Sequence, residues 1–121
     1  MRVCVYTCLP LLALLAGCSV GLDAMPEVDE SLMDGELVYF EDHGDYLVFL
    51  PRQVFQRVGI VFYPGALVEA EAYTPWLHVL AQRGYPVAIA RFPLRLAVLS
   101  PNRARAIIAG LEDEGDVWII E

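Results

Sequence analysis

The sequence predicts an α/β fold: a three-layer αβα sandwich around a mostly parallel sheet. Three observations carry this. From Val58 onward, short apolar runs alternate with stripes of helical period, the pattern of strands joined by crossover helices. The run Val58 to Tyr63 (VGIVFY) is apolar almost throughout, as a strand covered on both faces must be. Proline and glycine fall at the boundaries between runs, at Pro51, Pro64-Gly65, Gly84, Pro101 and Gly115, where the chain has to turn.

Glu36 to Phe40 (ELVYF) is the first strand candidate, and EDHGD follows it with Gly44 placed for a hairpin turn. Tyr46 to Leu50 (YLVFL) is the second, closed by Pro51, and Val58 to Tyr63 is the third. A helix is expected after Pro64-Gly65, with Tyr73, Trp76, Leu77, Leu80 and Ala81 on one apolar stripe. Thr74-Pro75 reads as its cap and first-turn proline, and Gly84 as its C-terminal glycine. His78 falls off the stripe and is expected at the surface.

Pro86 to Ala90 (PVAIA) is the fourth strand, and Arg91 to Leu99 a loop. Ser100-Pro101 reads as a second cap and first-turn pair. Ala104, Ile107, Ile108 and Leu111 form the next helical stripe, with Arg103 and Arg105 on a solvated face. Asp116 to Ile120 (DVWII) is the fifth strand. If the two helices cover opposite faces, the fourth and fifth strands flank the third. The third strand is then a topological switch point, beside which ligands bind at the strands' carboxyl ends.

Composition narrows the function. Across 121 residues the formal charge is −8 and there is no lysine, which argues against nucleic acid as a partner, since that needs clustered basic residues. Asp23 to Asp45 holds nine acids and no Arg, and reads as a solvated tether. His43 and His78 lack metal-ligand spacing, so neither metal nor cofactor is expected. The N-terminus has Arg2 and then an apolar stretch, Val3 to Leu15, too short to span a bilayer. It ends in Leu15-Ala16-Gly17-Cys18, a tetrad that resembles the lipobox of bacterial lipoproteins. That resemblance implies removal of residues 1–17, lipidation of Cys18, and a place in the bacterial cell envelope; Ser19 after the cysteine favours the outer membrane. Cys4 and Cys8 would leave with the leader, so the mature chain could form no internal disulfide. The expected organisation is a signal peptide over 1–17, an acidic linker over 18–35 and a folded domain over 36–121.

The two-strand lead-in, YPG after the third strand, the segment RFPLRLAVLSPNRA and the final DVWIIE resemble the N-terminal portion of an α/β-hydrolase. The likeness is nearest to a bacterial lipoprotein-like subgroup. It implies a parent that cleaves a small-molecule ester or similar acyl bond with a Ser-His-Asp triad. In that family the fifth strand runs into G-x-S-x-G, the turn that presents the nucleophile. No such motif occurs here, and Ser19, Ser31 and Ser100 lie outside any. No catalytic residue is therefore assigned in this chain. The resemblance leaves one functional element: backbone amides after the third strand, at Gly65 and especially Ala66, as part of an oxyanion hole.

The expectation is an N-terminal hydrolase fragment, inactive alone. The alternatives are a non-enzymatic binding module and one half of a split enzyme. In each case Val117, Trp118, Ile119 and Ile120 would form an open edge, prone to association and able to pair with a partner strand.

Overall fold

A computed structural model of the chain describes residues 21–23, 28, 32–53, 56–111 and 117–120. The lipobox tetrad Leu15 to Cys18 and the leader lie outside these described residues.

Five strands form one sheet in the order β1-β2-β4-β3-β5. They are β1 (Val38–Asp42), β2 (Tyr46–Pro51), β3 (Val58–Phe62), β4 (Val87–Ala90) and β5 (Val117–Ile120). The first strand begins two residues later than the sequence suggests. Gly35 N–H donates to the Val38 carbonyl and Asp34 Oδ1 accepts the Phe40 amide, which closes the approach to it. The hairpin turns at Gly44, at φ +79°, while Asp42 Oδ1 accepts its N–H. β1–β2 and β2–β4 are antiparallel; β3–β4 and β3–β5 are parallel. The third strand is thus the switch point, as expected.

Two helices complete the layers, α1 (Thr74–Gln82) and α2 (Arg103–Gly110). The sheet distributes alternate residues between them. Leu47, Phe49, Val87 and Ile89 face α1 and pack with Leu77 and Ala81. Val48, Val61, Ala88 and Ala90 face the other way, against Ala104, Ile107 and Leu111. The sheet leads from β3 to β4 across one face and from β4 back past β3 to β5 across the other. Opposite directions on opposite faces give both crossovers the same hand, as the right-handed rule requires. The three-layer α/β arrangement is the one the sequence predicts.

Details differ. The buried stripe of α1 runs through Thr74, Leu77 and Ala81, preceded by Ala70 in a 3-10 turn (Ala70–Tyr73) that leads directly into the helix. Trp76, expected inside, is half exposed, with its ring edge-on to Phe62 at 5.2 Å. Thr74 does not cap the helix N-terminus; its hydroxyl donates to the Glu71 carbonyl. Gly84 does terminate the helix, at φ +98°. His78 is only partly at the surface: its ring meets Phe49 edge-on at 5.7 Å, and Nε2 is enclosed without a partner among the described residues. The loop Arg91 to Leu99 contains two 3-10 turns (Pro93–Arg95 and Ala97–Leu99).

Parts of the acidic linker are docked. Val28 is buried, Leu32 packs against the core cluster that includes Leu77 and Ala81, and Leu22 bridges to Val68. Apolar residues spaced among the acids explain this, because each can be buried while its acidic neighbours stay in water.

Candidate active site: the loop after the third strand

At the carboxyl end of β3 the chain passes through Tyr63 and Pro64 into a tight turn. Val68 N–H donates to the Gly65 carbonyl at 3.2 Å, leaving Ala66 and Leu67 at the turn's centre. Leu67 adopts φ +64°, a left-handed conformation that is costly for a branched side chain. Its neighbours hold it there. Leu67 N–H donates to the Arg95 carbonyl at 2.9 Å, and Leu67 and Glu69 exchange backbone hydrogen bonds with Leu22 at 2.9 and 3.1 Å.

The amides of this turn divide clearly. Gly65 N–H is taken by the Tyr73 hydroxyl at 3.2 Å. Those of Leu67, Val68 and Glu69 are all used. The Ala66 amide has no partner among the described residues, and Ala66 is exposed. Gly65 and Ala66 are therefore adjacent in space as in sequence, but only Ala66 retains a donor. A methyl at Gly65 would stand 3.0 Å from the Tyr73 oxygen, so the glycine makes room for that hydroxyl.

Two other elements frame the loop. Tyr63 crosses Phe92 edge-on at 4.8 Å, and its hydroxyl accepts the Ala104 N–H at 2.6 Å. This tyrosine, rather than Ser100, caps α2: Asn102 occupies the cap position and contributes no side-chain bond. Arg103, expected on a solvated face, ion-pairs with Asp45 at 2.7 Å.

Beside the loop lies a cavity of ≈ 180 Å³ walled by Pro64, Val68, Ala90 and Phe92 and edged by Arg91 and Arg95. Arg91 bonds Asp42 at 2.6 Å, the Gly44 carbonyl at 3.0 Å and Glu71 through both Nε and Nη2. Burial works against its charge, but these carboxylates outweigh burial and raise its pKa further. The Arg91 hydrogen bond likewise holds the Asp42 carboxyl below its usual range, against a smaller opposing effect of burial. Arg95 is paired with Glu69 and Asp23. Both guanidiniums are thus committed to carboxylates within the fold, and the cavity offers no free cation to a substrate. Among the described residues no three His, Cys, Asp or Glu side chains gather in a way that could hold a metal.

A second cleft, ≈ 470 Å³ and mainly apolar, lies between Tyr63, the α2 residues Ala104 and Ile108, and Ile120 at the end of β5. On its far side β5 has no neighbouring strand among the described residues, and Ile119 and Ile120 are about half exposed.

This strand order, the switch at β3 and the loop after it match an independent result: a model of the alpha/beta hydrolase family matches residues 59–120, just over half of the chain. The chain belongs to the alpha/beta hydrolase family. The matched span runs from Gly59 in β3 to Ile120 in β5 and so contains the switch point, both crossover helices and the loop with Ala66. Neither a curated protein nor a solved structure matches the chain.

Sequence reasoning reached Gly65 and Ala66 but not Tyr63, Tyr73 or the two arginine clusters. Tyr73 stands at helical spacing and reads as core. Arg91 and Asp42 are 49 residues apart, and no local pattern couples them.

Proposed function

We propose that this chain supplies the scaffold and the oxyanion-side loop of a serine-type hydrolase that cleaves an ester or related acyl bond. The supporting observation is the unpartnered Ala66 N–H at the carboxyl end of the switch-point strand. Attack on an acyl carbon places negative charge on the carbonyl oxygen, and a preorganised amide donor aimed at that oxygen stabilises it. The strained turn at Leu67 and the Tyr73 hydroxyl fix the direction of the neighbouring peptide planes before any substrate arrives.

No G-x-S-x-G occurs in these 121 residues, and on this reading the chain alone should be inactive. Translating the coding DNA beyond codon 121 in all frames is the test. The expected result is a G-x-S-x-G within a few codons; its absence would sink this reading. Purified chain should leave an activated acyl ester such as p-nitrophenyl acetate at its background rate.

The open side of β5 favours a second reading, in which another polypeptide pairs with Val117, Trp118, Ile119 and Ile120. Esterase activity that appears only on mixing would identify a split enzyme. A stable but inactive complex would identify a binding module.

Membrane attachment through lipidated Cys18 belongs to the same proposal, with the envelope as location. It is supported by the tetrad Leu15-Ala16-Gly17-Cys18. No helix of the described residues is long and apolar enough to cross a membrane. Mass spectrometry of the mature N-terminus is the test, and an unmodified terminus away from Cys18 would refute it.

A further inference from the structure

Apolar side chains on adjoining segments project into solvent near the candidate site. Leu94 and Val98 are 78% and 77% exposed and Leu22 is 68% exposed, with Leu67 and Leu99 about half exposed. Backbone hydrogen bonds stitch the first three segments together: Leu22 N–H to the Leu67 carbonyl at 2.9 Å, and Leu67 N–H to the Arg95 carbonyl at 2.9 Å. Leu94 adjoins that last contact, and Val98 and Leu99 occupy the next 3-10 turn.

Among the described residues, Leu67, Leu94 and Arg95 are the non-glycine residues with positive φ, at +64°, +53° and +58°. Two of the three are leucines that point outward from a backbone glycine or asparagine would adopt more easily. Folding alone gives no reason to place leucine there, whereas an apolar surface to be covered does.

The occupant is indicated by the chain that leads into this patch. Gly21 is seated on Arg95, where a methyl would meet Nη1 at 2.0 Å, and Asp23 pairs with Arg95 at 2.8 Å. Cys18 precedes Gly21 by three residues, which span at most about 10 Å. If Cys18 carries lipid, the bilayer surface is therefore within reach of Leu22, Leu67 and Leu94. The Arg95 charge is matched by Asp23 and Glu69, so the patch has no free cation for anionic headgroups. Its chemistry suits apolar insertion into the headgroup boundary.

We infer that this face, formed by Leu22, Leu67, Leu94, Val98 and Leu99, docks on the lipid bilayer and holds the loop with Ala66 against the membrane surface. The inference rests on the lipid-anchor reading above, and the experiment separates the two. In the mature lipidated chain the Cys18 sulfur is blocked, so Leu94→Cys, Val98→Cys or Gln82→Cys gives the single free thiol; where Cys18 proves unmodified, the same three variants are remade with every native cysteine replaced by serine. Each variant is labelled with a thiol-reactive fluorophore and reconstituted with phosphatidylcholine vesicles containing acyl-brominated lipid. Gln82, at the end of α1, is exposed and away from the patch.

Quenching by the brominated chains should be at least about threefold stronger at positions 94 and 98 than at 82, and unchanged by added phosphatidylglycerol. The double variant Leu67→Asn/Leu94→Asn suits the left-handed backbone. It should keep or raise the thermal midpoint while quenching at position 98 falls. A lipid-bearing Cys18 with equal quenching at all three positions overturns the docking and leaves the anchor. An unmodified Cys18 with selective quenching retained removes the anchor and leaves the docking. An unmodified Cys18 with no selectivity overturns both.

Discussion

Gly59 has no room for a side chain. In the β3–β5 register it stands opposite Trp118, and a methyl there would meet the indole ring at 2.5 Å. Gly59→Ala should therefore cost about 1–3 kcal/mol through displacement of the ring or the strand, read as a lower midpoint in urea. His78 makes the opposite kind of contact, accommodated but unsatisfied. Burial lowers its pKa below the ordinary histidine value, because partial burial, with Nε2 shielded, weakens solvation of the cation. The unfolded chain takes up the proton first as pH falls below about 6.5, so stability is full above that value and declines beneath it. His78→Leu should flatten the decline, seen in thermal midpoints measured from pH 7.5 down to pH 5; an unchanged slope would place the titrating group elsewhere.

Among the elements, α2 shows how far apart the causes of a short helix can lie. It has eight residues, no acid in its first turn and no local side-chain cap, so its intrinsic tendency to form is weak. Its N-terminus is held by the Tyr63 hydroxyl on the Ala104 amide, and its inner face by Ala104 and Ile107 against the sheet. Tyr63→Phe keeps the ring contact with Phe92 and removes the acceptor. The expected loss is about 1 kcal/mol, several degrees of thermal midpoint for a domain of this size. The position of α2 was legible from its apolar stripe, and so were the strands and the faces they present. The cap was not, since Tyr63 and Ala104 are 41 residues apart and Ser100-Pro101 supplies a plausible local signal in its place. The candidate site divides in the same way. YPG marks the loop, but the feature that singles out Ala66 is the engagement of every neighbouring amide. That depends on Tyr73, Arg95 and Leu22 meeting in space, and on positive φ at Leu67, which no sequence rule assigns to leucine.

At the scale of the molecule, the two edges of the sheet are built differently. β1 carries Glu41 and Asp42, with Asp42 tied to Arg91, and Arg52 lies over the Tyr39 ring at 4.1 Å. Charges of this kind keep an edge from pairing with another chain. β5 has none between Val117 and Ile120, and Ile119 and Ile120 are about half exposed. With a formal charge of −8, general repulsion between copies opposes association, yet a local edge of four apolar residues can still recruit a strand when ionic strength screens that charge. Association should therefore grow with salt rather than weaken. Ile119→Lys places a cation on the edge without disturbing the buried face, and should shift the sedimentation distribution towards the monomer at 0.3 M salt while leaving the far-ultraviolet circular dichroism unchanged. A distribution that ignores both salt and Ile119→Lys would show that copies meet through another surface, with the Leu94 face the next to test by Leu94→Asn.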